Sequence, residues 1–255
     1  MKRLPFALYI AAVFIFFYLP IFVLIVYSFN NAQYSLLWHG FSTRWYHELF
    51  ADHDLWVAVM HSLTLGVFAA TSAMIIGSLA AISLYRYDFR GRQFLYGLIF
   101  ILILSPDIVM GISLLILFSL VNVALGFWSL LLAHITFCIP FVVVTVYSRI
   151  VSFDEYIFEA AKDLGATDMI IFNRVILPLL WPALLASWLL SFTLSVDDVI
   201  ISYFVAGPDF EILPLKIYSM VRTGVKPEIN ALCAVTFGIT LTLVLISQLL
   251  LRKKQ

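Results

Sequence analysis

The chain has 255 residues, of which 63% are hydrophobic and 12% charged, and its formal net charge is zero. Soluble domains average about 45–50% apolar and about 25% charged residues, so this composition excludes a soluble domain and indicates one that lies in a membrane. A neutral chain also lacks the basic footprint of a nucleic-acid binder.

Lys2 and Arg3 precede an apolar run from Leu8 to Tyr27. A basic flank before an apolar core also begins secretory signals. This run is long for one and no small-x-small cleavage site follows, so it is expected to be a retained first helix. Residues 29–60 read as a polar loop whose Trp38, Trp45, Tyr46 and Trp56 suit an interfacial aromatic belt. A second span is expected from Leu63 to Leu84, followed by a short basic loop containing Arg86, Arg90 and Arg92. The third, Phe94 to Phe118, is interrupted by Ser105-Pro106-Asp107, and the fourth, Phe127 to Val146, contains Pro140.

Next comes a charged stretch from Val151 to Pro178. Ser152 with Glu155 three residues later reads as a capping box. Phe153, Ile157, Ala161 and Leu164 share one helical face. Gly165 stands where a helix C-terminus needs a left-handed residue. Thr167-Asp168 offers a new N-cap, and the second helix is expected to stop near Pro178. The result is helix, glycine elbow, helix, with small Ala160 and Ala161 beside Glu159; a solvated loop between two spans would also fit. A fifth span is expected from Leu180 to Val205, an outer segment from Gly207-Pro208 to Asn230, and a sixth span from Ala231 to Leu251. One integral all-α domain over residues 1–255, with six transmembrane helices, accounts for the whole chain.

Positive residues concentrate on the cytoplasmic side of membrane proteins. With the N-terminus inside, the inner segments hold Lys2, Arg3, Arg86, Arg90, Arg92, Arg149, Lys162, Arg174, Arg252, Lys253 and Lys254. The outer segments hold Arg44, Lys216, Arg222 and Lys226. Both termini and the elbow are therefore expected in the cytoplasm, and no Lys or Arg falls within a span.

Three carboxylates do fall within spans: Asp107, Asp197 and Asp198. A central carboxylate costs about 2.5–3.5 kcal/mol on the insertion scale, so it is rarely kept without a role. Asp107 follows Pro106, which frees a carbonyl one turn earlier. On the fifth span Trp188, Ser191, Ser195, Asp198 and Ser202 form a polar stripe, with Asp197 about 100° away. These acids fit either protonated or bonded helix–helix contacts or a path for a cation, to which an aromatic ring adds cation–π attraction. Asp198 is expected to line the cavity, with Asp197 turned away from it. Cys138 and Cys233 read as buried inert thiols, His134 as an interhelical hydrogen-bond partner, and no metal-ligand spacing occurs.

Glu159-Ala160-Ala161, three residues, Gly165, then Val175-x-Leu177-Pro178 resembles the EAA loop of permease subunits of bacterial ABC importers (type I). Val175 replaces the usual Ile. The stretches Ala81–Tyr87, Ser105–Met110, Ser191–Asp198 and Glu211–Met220 resemble permeases for polyamines, the smaller of the two permease subunits of spermidine/putrescine importers. The resemblance implies an inner-membrane permease fold in which Glu159, Ala160, Ala161 and Gly165 dock a separate ATPase dimer that binds ATP and Mg. It also implies a second homologous permease subunit and an extracytoplasmic polyamine-binding protein. Asp107, Asp197, Asp198, Trp188 and Ser195 would then line the substrate path.

This chain carries no Gly-x4-Gly-Lys-Ser/Thr phosphate loop and no Gly-x-Ser-x-Gly or His-Glu-x-x-His site. Neither ATP hydrolysis nor membrane enzymology is expected of it. An ion-coupled secondary transporter would show inverted repeats, which are not evident. Importers of phosphonates, metals or amino acids remain alternatives within the class.

Overall fold

The computed structural model describes residues 3–32, 37–153, 156–224 and 227–252. The described residues are helical apart from turns and one isolated antiparallel bridge, Asn30 to Phe41. Alpha helix is the expected solution in lipid, because it satisfies its backbone hydrogen bonds internally. Two compact units are present.

The first unit comprises Met1–Val57 and Lys216–Gln255. It contains α1 (Arg3–Tyr27), α2 (Arg44–Ala51) and α12 (Pro227–Arg252), and α12 packs against both α1 and α2. The expected polar loop after α1 is more ordered than its composition suggests. Trp45 is buried and donates its indole N–H to the Asn30 carbonyl at 2.7 Å, so it pins the loop and is no interfacial ring. The Asn30 side chain donates to the Leu37 carbonyl and accepts from His39 N–H. Trp38 and Trp56 stay exposed, as a belt would require. Cys233, expected to be buried, is half-buried.

The second unit, Ala58–Leu215, holds most of α3 (His53–Arg86) together with α4 (Arg92–Leu104), α5 (Asp107–Leu120), α6 (Phe127–Val151), α7 (Tyr156–Asp163), α8 (Asp168–Ile171), α9 (Leu177–Asp197) and α10 (Ile200–Val205). One apolar cluster joins Ala73, Ala81 and Leu84 of α3 to Val142 and Val146 of α6 and to Ile171, Ile176 and Leu180. A second joins Leu65 and Ala69 to Met110, Leu114 and Phe118 of α5, Leu130 and Ala133 of α6, and Ile201 and Val205 of α10. The segment after α10 lies on α3: Ser62 Oγ accepts the Leu213 N–H, and the His61 ring stacks on Phe210 at 4.0 Å. The last helix before α12 is α11 (Leu213–Thr223).

Among the described residues, four helical stretches are long and apolar enough to cross a membrane: Leu8–Tyr27, His53–Arg86, Phe127–Val151 and Asp168–Asp197. They match the expected first, second, fourth and fifth spans. The expected third span is a bent pair, α4 and α5, turned by 114° at Ser105-Pro106. At 1.5 Å per residue each arm is only about 20 Å long, short of the ~30 Å hydrocarbon layer. The expected sixth span lies within the 26 residues of α12.

Two boundaries differ from expectation. Pro178 does not stop the helix, which runs on from Asp168 to Asp197. Residues Phe172–Ile176 form a π-helical turn, in which Leu177 N–H reaches back to the Phe172 carbonyl. A proline ring clashes with the carbonyl four residues earlier, here Arg174. The wider π turn carries that carbonyl aside, so the chain crosses the proline without ending. Conversely, the expected fifth span is broken after Asp197, and Asp198 is extended at φ −70, ψ 124.

A Cβ on Gly207 would overlap the backbone carbonyl of Leu125, which cannot move aside as a side chain would. Gly207→Ala is expected to destabilise the chain by about 2 kcal/mol or more. Gly97→Ala has open space within 4 Å of the new methyl, and is expected to be neutral or to stabilise α4 by up to about 1 kcal/mol. Thermal melts of the detergent-purified chain check this; the reverse order would refute the close approach at Gly207.

Candidate functional site

The two helix breaks meet. Asp107 begins α5 just after Pro106, and Asp197 and Asp198 end α9. Together with Phe137 of α6, and with Leu194, Val199 and Ile200, all three line one pocket of about 300 Å³. Helix geometry had separated Asp197 from Asp198 by about 100°. Because the helix stops there, both border the same space. Among the described residues the lining holds three acids and no basic side chain.

The three carboxylates differ in surroundings. Asp107 and Asp197 are exposed. Asp198, whose side chain is 5% exposed, is engaged within the chain. Its Oδ1 accepts the Ile201 N–H at 3.2 Å, and its Oδ2 accepts the Ser202 N–H and the Ser202 hydroxyl, each at 2.8 Å. These are the first amides of α10, which have no helical partner. Asp198 thus closes the broken end of the span as an N-cap carboxylate does. It was expected to line the cavity; it borders the pocket, and the break also makes it a cap.

Of the expected polar stripe, only Asp198 borders the pocket. Ser195 is buried and bonds to His134 Nδ1 at 2.7 Å. Trp188 is half-buried; its indole donates to Thr71 at 3.0 Å, and its ring stacks on Phe192 at 5.3 Å. Ser191 is buried, and its hydroxyl makes no hydrogen bond. His134 makes the interhelical bonds anticipated for it, but to two serines flanking the break. Sequence reasoning had not linked it to the acids, because the contact crosses from α6 to α10.

A helix, a glycine turn and a second helix follow one another, with ends that differ from those expected. Helix α7 ends in a Schellman turn: Gly165, at φ +76, donates to the Lys162 carbonyl, and Ala166 donates to the Ala161 carbonyl. Ala160 is exposed and Ala161 half-buried against the first apolar cluster. The Glu159 side chain and residues 154–155 lie outside the described residues. Ser152 does not open a helix; it closes α6, its hydroxyl donating to the Arg149 carbonyl at 2.7 Å. Leu164, expected on the apolar face, is 88% exposed because the glycine turn swings it outward. Tyr156 and Met169 are also uncovered. Arg86, from the end of α3, pairs with Asp168 at 2.7 Å and ties the elbow back to the membrane helices.

A helical unit built from long apolar segments, with an acidic pocket between two breaks and a projecting elbow, describes a membrane transport component. Residues 73–254 match the family described as binding-protein-dependent transport system inner membrane component. The chain belongs to this family. It is 55% identical over 246 residues to the spermidine/putrescine transport system permease protein PotC of Escherichia coli K12, covering 96% of this chain and 93% of that protein. It is 44% identical over 233 residues to the putrescine transport system permease protein PotI of the same strain, covering 88% and 83%. Among solved structures it resembles a bacterial ABC transporter involved in import of the acidic polysaccharide alginate, with TM-score 0.73, 16% identity and coverage of 98% of this chain and 95% of that one. A second is the MetNI methionine ABC transporter, with TM-score 0.63, 18% identity and coverage of 74% and 90%. The two structures share the fold.

Removing the Asp198 carboxylate leaves two amides and the Ser202 hydroxyl proton without their acceptor. Asp198→Ala is expected to cost about 2 kcal/mol of stability, whereas Asp107→Ala, at an exposed position, stays within about 0.5 kcal/mol. Melting temperatures of the purified variants test this, and equal losses would mean that Asp198 is no cap.

Proposed function

We propose that this chain is a permease subunit of an ATP-driven importer that carries linear polyamines such as spermidine and putrescine into the cytoplasm. One observation carries the substrate class: three carboxylates and no cation border one pocket between two broken helices. A polyamine is a flexible chain of ammonium groups. Each group entering a dry pathway loses hydration, and fixed carboxylates offset that loss. At about 4 Å and an effective dielectric near 20, one ion pair is worth about 4 kcal/mol before desolvation. The names of the polyamine permeases, 55% and 44% identical to this chain, support the same cargo.

In this reading Asp107 and Asp197 touch the ammonium groups. Asp198 adds a fixed negative charge at the rim, supported by Ser195 and with Trp188 further along α9. The site binds weakly, since a tight one would trap the cation. Uptake of polyamines should fall by about tenfold or more in an Asp107→Asn, Asp197→Asn double variant, at unchanged membrane level and ATPase association. Undiminished uptake would leave the acids structural and the cargo unexplained.

The elbow serves the energy supply. A partner ATPase dimer binds ATP and Mg and receives Glu159, Ala160, Ala161 and Gly165, while a second permease subunit and an extracytoplasmic binding protein complete the complex. The exposed Leu164, Tyr156 and Met169 support such docking, because uncovered apolar side chains on one projection mark a partner surface. The distribution of Lys and Arg supports six spans with both termini and the elbow in the cytoplasm. Gly165→Val strains the left-handed turn by more than ~1 kcal/mol. Co-purification of the ATPase should drop with it while the permease stays inserted; full retention and normal uptake would refute the docking role.

A further inference from the structure

His134 lies inside α6, fully buried, yet it touches both sides of the break in the neighbouring span. Its Nδ1 is 2.7 Å from the hydroxyl of Ser195, in the last turns of α9. Its Nε2 is 2.9 Å from the hydroxyl of Ser202, in the first turn of α10, and 3.6 Å from Asp198 Oδ2. The direction of these bonds follows from counting protons. Ser202 has a single hydroxyl proton, and it goes to Asp198 Oδ2. Its contact with Nε2 must then be accepted by the serine oxygen, so Nε2 carries a proton. In the neutral ring Nδ1 is then bare, and it accepts the Ser195 hydroxyl, for which no other acceptor is present among the described residues.

We propose that His134 is a positioning residue: as the neutral Nε2–H tautomer it passes one directed hydrogen-bond relay from Ser195, through the ring, to Ser202 and Asp198, and thereby fixes the Asp198 charge at the rim of the acidic pocket. The relay does what the missing backbone bonds of the broken helix cannot. It holds the end of α9 and the start of α10 in register through a third helix. Each bond points the same way, so each strengthens the next, and the last one ends on a carboxylate. The role in transport rests on the polyamine reading; the relay itself does not.

Glutamine provides the test. Its amide oxygen and nitrogen stand about as far apart as the two ring nitrogens, one accepting and one donating. In the full complex in liposomes, His134→Phe keeps a flat ring of similar size but should lower polyamine uptake about tenfold. His134→Gln should restore most of it, and the melting temperatures should follow the same order. Phe equal to wild type would reduce His134 to packing, and Gln as poor as Phe would mean that a positive charge is needed; either overturns the relay. Nitrogen-15 spectra of the histidine-labelled complex, assigned by subtracting the Phe variant, should show a bare Nδ1 and a protonated Nε2. A protonated Nδ1 overturns the proposal outright. If the wild-type complex moves no polyamine, the cargo reading fails, while the spectra and melting order still decide the relay.

Discussion

Backbone polar groups in a hydrocarbon layer must find partners inside the protein, and that constraint shapes the second unit of this chain. A continuous helix meets it without help. This chain departs from continuous helix at Ser105-Pro106 and at Asp198-Val199, and both departures border the same pocket. At the first, Pro106 has no amide to satisfy, and its carbonyl takes up the Val109 and Met110 amides. At the second, Asp198 caps the orphan amides, and His134 and two serines surround that cap. The fold therefore tolerates irregular backbone where it makes an acidic cavity, and it closes each break with a different device.

That arrangement separates two tasks that a sequence shows only as three aspartates. Asp198 accepts hydrogen bonds from the first amides of α10 and from Ser202, whereas Asp107 and Asp197 are exposed. In the proposed function the first would act as a pre-oriented group that needs no reorganisation, and the other two would meet the cargo directly.

Much of this was legible because the signals were local. Apolar runs located the membrane helices, and Gly165 marked a left-handed C-terminus that the Schellman bonds bear out. Pro106 marked a break, though not that the helix turns by 114° there. The misreadings came from competition between local rules and tertiary packing. Pro178 looks like a terminator until a π turn makes room for its ring. Ser152 looks like an N-cap, yet the preceding helix uses it as an end. Helical periodicity put Asp197 and Asp198 on different faces, a rule that lapses once the helix ends between them. The approach of His134 to Asp198 has no signature in either segment alone, since 64 positions of chain separate the pair.

The elbow and the pocket share one mechanical element. Asp168 to Asp197 is continuous helix, so it begins beside the glycine turn and ends at the acidic break. Its π turn lies next to the elbow, where one helical bond is already widened, and Pro178 and Pro182 remove two amides over the next two turns. Bending at such points disturbs fewer hydrogen bonds than bending a regular helix. The Arg86–Asp168 pair anchors the near end to α3, while the His134 contacts anchor the far end to α6. One helix thus joins the two regions, with its π turn and prolines beside the elbow and its contacts to α6 beside the acids.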